Sequence, residues 1–144
     1  MEDIQITDNS YFVDERGDSV FDIFEASPMV GQVNIATMSK GVVKAFHRHH
    51  NQDDYFTCIE GRVLIIMFVP GELGSDRIFE RVVIGGKKPQ VVKIPAGVFH
   101  GFKALDDNTK VLYYTTNKYD PKRPDEYRLE WDYFGKEAWD IRNF

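Results

Sequence analysis

Three of the four histidines of the chain stand close together in the stretch KAFHRHHNQDDYF (44–56). Two aspartates follow after Asn51 and Gln52, and the fourth histidine, His100, ends the segment PAGVFH. Neutral imidazole binds transition metals, and imidazole also exchanges protons near pH 7, because its ordinary pKa is about 6.5. The stretch therefore indicates either a metal site or an acid–base site.

Alternation along a strand decides which of these side chains share a face. His47 and His49 are two residues apart, so both point to one side of a strand, whereas His50 points to the other side or into solvent. With Asp54 and His100 added, the spacing resembles the two motifs of metal-binding cupins, which are antiparallel jelly rolls. This resemblance implies a metal-dependent cupin enzyme with His47, His49, Asp54 and His100 as ligands, where Asp54 replaces the usual glutamate.

A longer resemblance covers most of the chain. Five segments carry it, in this order: DERG (14–17), SKGVVKAFH (39–47), EGRVLIIMF (60–68), IPAGVFHGF (94–102) and VLYYTTNKYDP (111–121). Together they resemble the dTDP-4-dehydrorhamnose 3,5-epimerase family, whose members are metal-free cupins acting on nucleotide-linked 4-keto sugars. The resemblance implies an isomerase-class enzyme without cofactor or metal, a nucleotide-sugar epimerase acting at C3, or at C3 and C5, of a 4-keto-6-deoxyhexose.

The resemblance also implies a catalytic pair. Epimerisation beside a ketone removes an α-proton, passes through an enolate and returns a proton to the other face of the sugar. The family's base aligns with His47 in KAFH, and its acid aligns with Tyr113 in LYYTT. Both types suit their roles, because histidine is mostly neutral at pH 7 while tyrosine keeps its proton there.

The same alignment implies a set of substrate-binding residues. Arg16 matches a family arginine that holds the pyrophosphate, and Lys44 replaces a second one, keeping the charge but losing the bidentate geometry. Phe12 and Tyr119 match aromatic residues that stack on the nucleobase. His100 is expected to touch the sugar or to orient the base.

Two departures from the family pattern concern the histidine stretch. Asp54 stands where the family has a lysine that stabilises the enolate oxygen, and loss of one such donor costs about 10²–10³ in rate. The family's C-terminal aspartate, which pairs with the catalytic histidine, has no counterpart before Phe144, so Asp54 or Asp53 is expected to set the tautomer of His47. We expect His49 and Asp54 to line the substrate pocket.

These departures keep three alternatives open. A nucleotide-sugar 3,4-ketoisomerase is also a cupin, and it would use His47 and His49 on one face of the sugar without an opposed acid. The metal-dependent enzyme would use Asp54 as a ligand. A sugar-binding cupin that has lost catalysis would explain the missing lysine.

Strands must position all of these residues, because runs of Val, Ile, Phe and Tyr alternate with turn residues and helical periodicity is nearly absent. The predicted strands are 19–25, 32–38, 42–49, 55–60, 62–68, 78–83, 90–94, 98–103 and 110–116. They predict an all-β fold, a single antiparallel jelly-roll (cupin) domain spanning 1–144. Residues 119–127 are expected to end the β domain, followed by an aromatic tail, with Trp131 and Trp139, that packs back onto it.

Composition argues against several other classes of protein. The net charge of −5 without a basic block argues against nucleic-acid binding, and the apolar run 63–70 is too short to span a bilayer. The lone Cys58 excludes an intrachain disulfide and is expected in the core. We expect a cytoplasmic enzyme, and the resemblance implies a homodimer with strand exchange at the N-terminus.

Overall fold

The computed structural model describes residues 4–71 and 79–143, and within them the chain consists almost entirely of strands. The strands are β1 (Gln5–Asp8), β2 (Ser10–Asp14), β3 (Gly17–Phe21), β4 (Gln32–Met38), β5 (Val43–Arg48), β6 (Asp54–Glu60), β7 (Arg62–Phe68), β8 (Glu80–Gly85), β9 (Gln90–Ile94), β10 (Phe99–Ala104), β11 (Thr109–Thr115) and β12 (Tyr127–Arg128). A short 3₁₀ helix, Lys136–Trp139, follows them. None of the helical structure in these ranges is long and apolar enough to cross a membrane.

Two five-stranded antiparallel sheets face each other and enclose the main core. The first has the order β1-β9-β6-β11-β4 and the second the order β12-β5-β10-β7-β8, while β2 and β3 form a separate hairpin. Inward-facing apolar side chains from both sheets fill the space between them, such as Phe56 and Val92 from the first and Ile65 and Phe102 from the second. This arrangement confirms the predicted antiparallel jelly roll.

The strand predictions were most accurate where both faces of a strand are covered or where polar and apolar residues alternate cleanly. β4, β7 and β9 occupy the predicted residues. β1 and β2 were missed, because their side chains are exposed and mark no buried face. The strand predicted at 19–25 is β3, which ends earlier, at Phe21. The strand predicted at 78–83 corresponds to β8, and residue 78 lies outside the described residues.

The prediction that residues 119–127 end the β domain was wrong. β12 follows this stretch and pairs with β5, placing Tyr127 opposite Arg48 and Arg128 opposite His47. A two-residue strand at a sheet edge, with both side chains exposed, has no hydrophobic alternation by which a sequence could reveal it.

Cys58 lies in the core, as predicted. It is 3% exposed in β6, and burial raises the pKa of its thiol to about 11. A thiol with such a pKa stays protonated at neutral pH, so it behaves as a small apolar residue.

The C-terminal tail packs on the outer face of the second sheet, as expected, but its two tryptophans differ. Trp139 is 2% exposed, and its ring stacks on Phe46 with the centroids 5.4 Å apart. Its Nε1–H donates to the carbonyl oxygen of Trp131 at 2.8 Å, while the Trp131 side chain is 40% exposed. Because Phe46 precedes His47, this packing supports the strand that carries the histidines.

We expect Trp139→Ala to lower the free energy of unfolding by about 3–5 kcal/mol, because it removes a large buried side chain and leaves a cavity beside Phe46. Trp131→Ala removes the same side chain from an exposed position, so it should cost less than about 1 kcal/mol. Equilibrium unfolding in urea at one fixed protein concentration compares the two. Equal losses in both variants would contradict the assignment of the tail to the core.

Candidate functional site

A cavity of about 490 Å³ opens between the two sheets at the end that carries the histidines. The inner faces of β4, β5, β6 and β11 form its walls, and residues 117–126 border it on one side. The lining residues are Gln32, Asn34, Ala36, Lys44, His47, His49, Asn51, Gln52, Asp54, Phe56, Phe102, Tyr113, Thr115, Asn117, Lys118, Tyr119, Asp120, Arg123, Asp125 and Glu126. A cavity of this size suits a small ligand such as a sugar.

The histidine stretch divides between the two sides of β5 as strand alternation predicts. His47 and His49 both line the cavity. Arg48, between them, points away and packs its guanidinium over the rings of Phe99 and Tyr127, at 4.9 and 5.3 Å. His50 is exposed beyond the end of the strand.

Asp54 is the buried centre of the site, with 3% of its surface exposed. Its Oδ2 lies 3.1 Å from Nε2 of His49 and 3.1 Å from Nε2 of His100, and its Oδ1 accepts a hydrogen bond from Gln52 at 2.8 Å. The expectation that Asp54 or Asp53 sets the tautomer of His47 was wrong. Asp54 pairs with the other two histidines, and Asp53 accepts the N–H of Ala96.

The hydrogen-bond acceptors around His49 and His100 show which ring nitrogens of these histidines carry hydrogen. Nδ1 of His49 lies 2.7 Å from the carbonyl oxygen of Asp125, and Nδ1 of His100 lies 3.1 Å from that of Val98. A carbonyl oxygen only accepts, so both Nδ1 atoms carry hydrogen. Both Nε2 atoms then face one carboxylate oxygen, where a lone pair would be repelled. In His49, which pairs with Asp54 through Nε2, a second proton on that nitrogen removes the repulsion.

Electrostatics agrees with this assignment. Burial disfavours the charged form of His49, but hydrogen bonding to Asp54, the Asp54 charge and the Asp125 carbonyl outweigh burial and raise the pKa of His49 to about 9. Burial likewise opposes ionisation of Asp54, yet His100 and His49 hold the pKa of this carboxyl well below its usual range. At pH 7 the two residues form an ion pair.

His47 is in the opposite protonation state. Burial, followed by the charges of His100 and His49, lowers the pKa of His47 to about 3. Its ring packs against His100 with centroids 5.1 Å apart. Its Nδ1 lies 3.8 Å from Oε1 of Glu126. The ring is therefore neutral at pH 7 and can accept a proton.

Tyr113 faces the same cavity from the other sheet, since it belongs to β11 while His47 belongs to β5. Its ring stacks on Phe56, with centroids 5.1 Å apart and an angle of 22° between the planes. Burial, assisted by the Asp54 charge, raises the pKa of Tyr113. Tyr113 therefore keeps its proton at neutral pH and can donate it.

The remaining predicted binding residues separate into two groups. Lys44 and Tyr119 line the cavity. Phe12 and Arg16 lie on the β2–β3 hairpin and do not line it, and Arg16 instead pairs with Asp14 at 2.7 Å. Their part in substrate binding stays a prediction that requires a second copy of the chain.

The sequence reasoning missed two acidic residues of the site, Asp125 and Glu126. Both line the cavity and contact histidines of the β5 region. The only trace of them in the sequence is an acidic pair just before an aromatic residue, in PDEY (124–127), which is common in exposed loops.

Three of the four predicted metal ligands converge. Donor atoms of His49, Asp54 and His100 lie within 4.8 Å of one another, and His47 stands outside this group. With Nδ1 protonated in His49 and His100, their Nε2 atoms are free to act as ligands once the extra proton leaves, a donor set that suits a divalent transition metal.

The ion pair makes stability depend on pH. A histidine whose pKa rises on folding, here from 6.5 to about 9, stabilises the fold fully below pH 6.5 and loses that contribution as the pH rises through 9. We expect the free energy of unfolding, measured in EDTA, to fall by about 1–3 kcal/mol between pH 6.5 and 9.

Asp54→Asn should abolish this pH dependence, because burial then dominates at His49. His50→Asn, at an exposed histidine in the same stretch, should retain it. The slope of the unfolding free energy against pH is the measured quantity, since Asp54→Asn also lowers the absolute stability. His49→Gln replaces Asp54→Asn if the latter does not fold. A slope that persists without either residue would refute the pairing.

Known proteins of similar sequence and fold include several epimerases. The chain is similar to the probable low-salt glycan biosynthesis epimerase Agl13 of Haloferax volcanii, with 34% identity over 139 residues, covering 90% of this chain and 88% of that protein. It is similar to the solved rmlC epimerase of Mycobacterium tuberculosis, with a TM-score of 0.75 and 26% identity, covering 90% of this chain and 70% of that one.

The fold also matches that of NovW, a 4-keto-6-deoxy sugar epimerase of Streptomyces spheroides, with a TM-score of 0.82 over 98% of this chain and 76% of that one, at 22% identity. At family level, the sequence model described as dTDP-4-dehydrorhamnose 3,5-epimerase matches residues 1–135. The chain therefore belongs to the dTDP-4-dehydrorhamnose 3,5-epimerase family.

Proposed function

We propose that the chain inverts C3, or C3 and C5, of a nucleotide-linked 4-keto-6-deoxyhexose. Membership of the family makes it an isomerase-class enzyme of the nucleotide-sugar epimerases. One observation carries the finer proposal. A neutral His47 and a protonated Tyr113 enter the same cavity from opposite sheets, so a sugar between them has a base on one side and an acid on the other.

In this mechanism His47 takes the proton from C3, next to the C4 ketone, and the electron pair moves to the ketone oxygen to give an enolate. Tyr113 then donates its proton to C3 from the other face. The step leaves His47 protonated and Tyr113 ionised, and proton exchange with solvent restores both. The low pKa of His47 and the raised pKa of Tyr113 are consistent with these starting states.

The enolate requires nearby positive charge, which Asp54 cannot supply. His49 and Asp54 both line the cavity, and 15% of the His49 side chain is exposed against 4% of the Asp54 side chain. The greater exposure of the imidazolium supports a role for His49 in stabilising the enolate. Lys44 and Arg123 on the cavity wall suit the diphosphate of the substrate.

We infer a homodimer from the β2–β3 hairpin. Among residues 4–71 and 79–143, the hairpin pairs with no strand of either large sheet, and a lone two-stranded hairpin is marginally stable. It exposes the packed pair Phe12 and Phe21, which are 56% and 60% exposed. A second copy covering this surface would bury both rings and could carry Arg16 to a cavity.

Two other enzymatic candidates remain testable. A ketoisomerase would use the neighbouring His47 and His49 on one face of the sugar. A metal-dependent enzyme is favoured by the convergence of His49, Asp54 and His100.

The first test incubates the protein with a panel of 4-keto nucleotide sugars in D₂O and follows deuterium at C3 by NMR. We expect exchange and an inverted product. His47→Asn should slow both by about 10²–10⁴, because the base is lost. Tyr113→Phe should keep the exchange but yield little inverted product, because the enolate is then reprotonated only from the side of His47. His50→Asn serves as the exposed control.

Other outcomes identify the alternatives. A product with the ketone at C3 would favour the ketoisomerase. Loss of activity on chelation, restored by a transition metal, would favour the metal-dependent enzyme. Binding of the nucleotide sugars without exchange at any carbon would leave a sugar-binding module and overturn the epimerase.

The second test concerns the dimer. We expect light scattering to give the mass of two chains for the wild-type protein and of one chain for the double variant Phe12→Asp and Phe21→Asp, because two buried charges would disrupt the interface. Val83→Asp changes an apolar residue of similar exposure on β8 and should remain dimeric. A wild-type protein with the mass of one chain would rule out the dimer.

A further inference from the structure

Residues 125–129 lie along the edge of β5 in a fixed register. The N–H of Phe46 donates to the carbonyl oxygen of Leu129 at 2.9 Å, and the N–H of Leu129 donates back to Phe46 at 2.9 Å. Arg128 stands opposite His47 in the same pairing. The strand that carries His47 and this segment therefore hold each other in place.

Asp125, the first residue of the segment, fixes the neighbouring histidine. Its carboxylate oxygens accept the backbone N–H groups of His50 and Asn51, both at 2.8 Å. Its carbonyl oxygen accepts the Nδ1–H of His49 at 2.7 Å. One residue thus sets both the backbone beyond β5 and the orientation of an imidazole ring.

Glu126, the second residue, faces the ring of His47, as Asp125 faces the ring of His49. Its Oε1 lies 3.8 Å from Nδ1 of His47, and its Oε2 accepts a hydrogen bond from Arg128 at 3.1 Å. Within residues 4–71 and 79–143, no other carboxylate oxygen lies within 4 Å of a ring nitrogen of His47. Catalytic hydrogen bonds are often long without substrate and shorten when it binds.

We propose that Glu126 is the positioning residue of His47, which rests on the proposed role of His47 as the base. Its carboxylate accepts the Nδ1–H of His47 and fixes the tautomer that has the lone pair on Nε2. When Nε2 takes the proton from C3, the carboxylate stabilises the imidazolium that forms. Arg128 holds the carboxylate in the orientation that this requires.

The experiment has two readouts, of which the first needs no substrate. In protein labelled with ¹⁵N-histidine, we expect His47 at pH 7 to show hydrogen on Nδ1. In Glu126→Ala this preference should shift toward Nε2, and kcat for C3 inversion should fall about 100-fold or more while KM stays within about threefold. Glu130→Ala removes an exposed carboxylate from the same region and should change neither readout.

Glu126→Gln keeps an acceptor for Nδ1–H but removes the charge, so it should retain the tautomer and lose part of kcat. It also replaces Glu126→Ala if that variant does not fold. An unchanged tautomer together with an unchanged kcat in Glu126→Ala overturns the proposal. A wild-type protein that inverts no 4-keto sugar refutes the epimerase instead, while a tautomer shift in Glu126→Ala would still establish the contact between Glu126 and His47.

Discussion

Burial of the Asp54 carboxylate is the constraint on which the rest of the site depends. A buried carboxylate needs compensating charge and hydrogen bonds, and here His49, His100 and Gln52 provide them. The Asp54 carboxylate keeps His49 charged, and the charge of His49 in turn helps to keep His47 neutral. One carboxylate thus divides two histidines of a single strand, only two residues apart, into a cation and a base.

The jelly roll makes this division possible because it assembles the site from distant parts of the chain. His47 and His49 come from the β5 region, Asp54 from β6 and His100 from β10, while Asp125 and Glu126 face the rings of His49 and His47. His49 is held through Nδ1 by a residue from a distant segment, and Nδ1 of His47 is turned toward another residue of that segment. Rigid strands then carry the geometry, which is the arrangement that precise acid–base chemistry requires.

Sequence alone was sufficient for features that depend on local pattern. Short apolar runs between turn residues predicted β4, β7 and β9, and strand alternation placed His47 and His49 on one side of β5. It could not predict the partner of His47, because Glu126 reaches that histidine through a two-residue strand with no pattern of its own. The expected pairing of Asp54 with His47 was wrong for a related reason, because the partners of Asp54, His49 and His100, are set by the folded sheets.

Pairing of β12 with β5 also has a consequence for the order in which the protein becomes competent during synthesis. Sheet strands β4 to β11 are complete once Thr115 has been made, so the two large sheets can begin to pack before the segment 125–129 exists. The acceptors for His47 and His49 arrive only with that segment. A nascent chain could therefore contain the folded barrel and its histidines before the tautomers of His47 and His49 are fixed. Addition of residues 125–129 would then complete the active site.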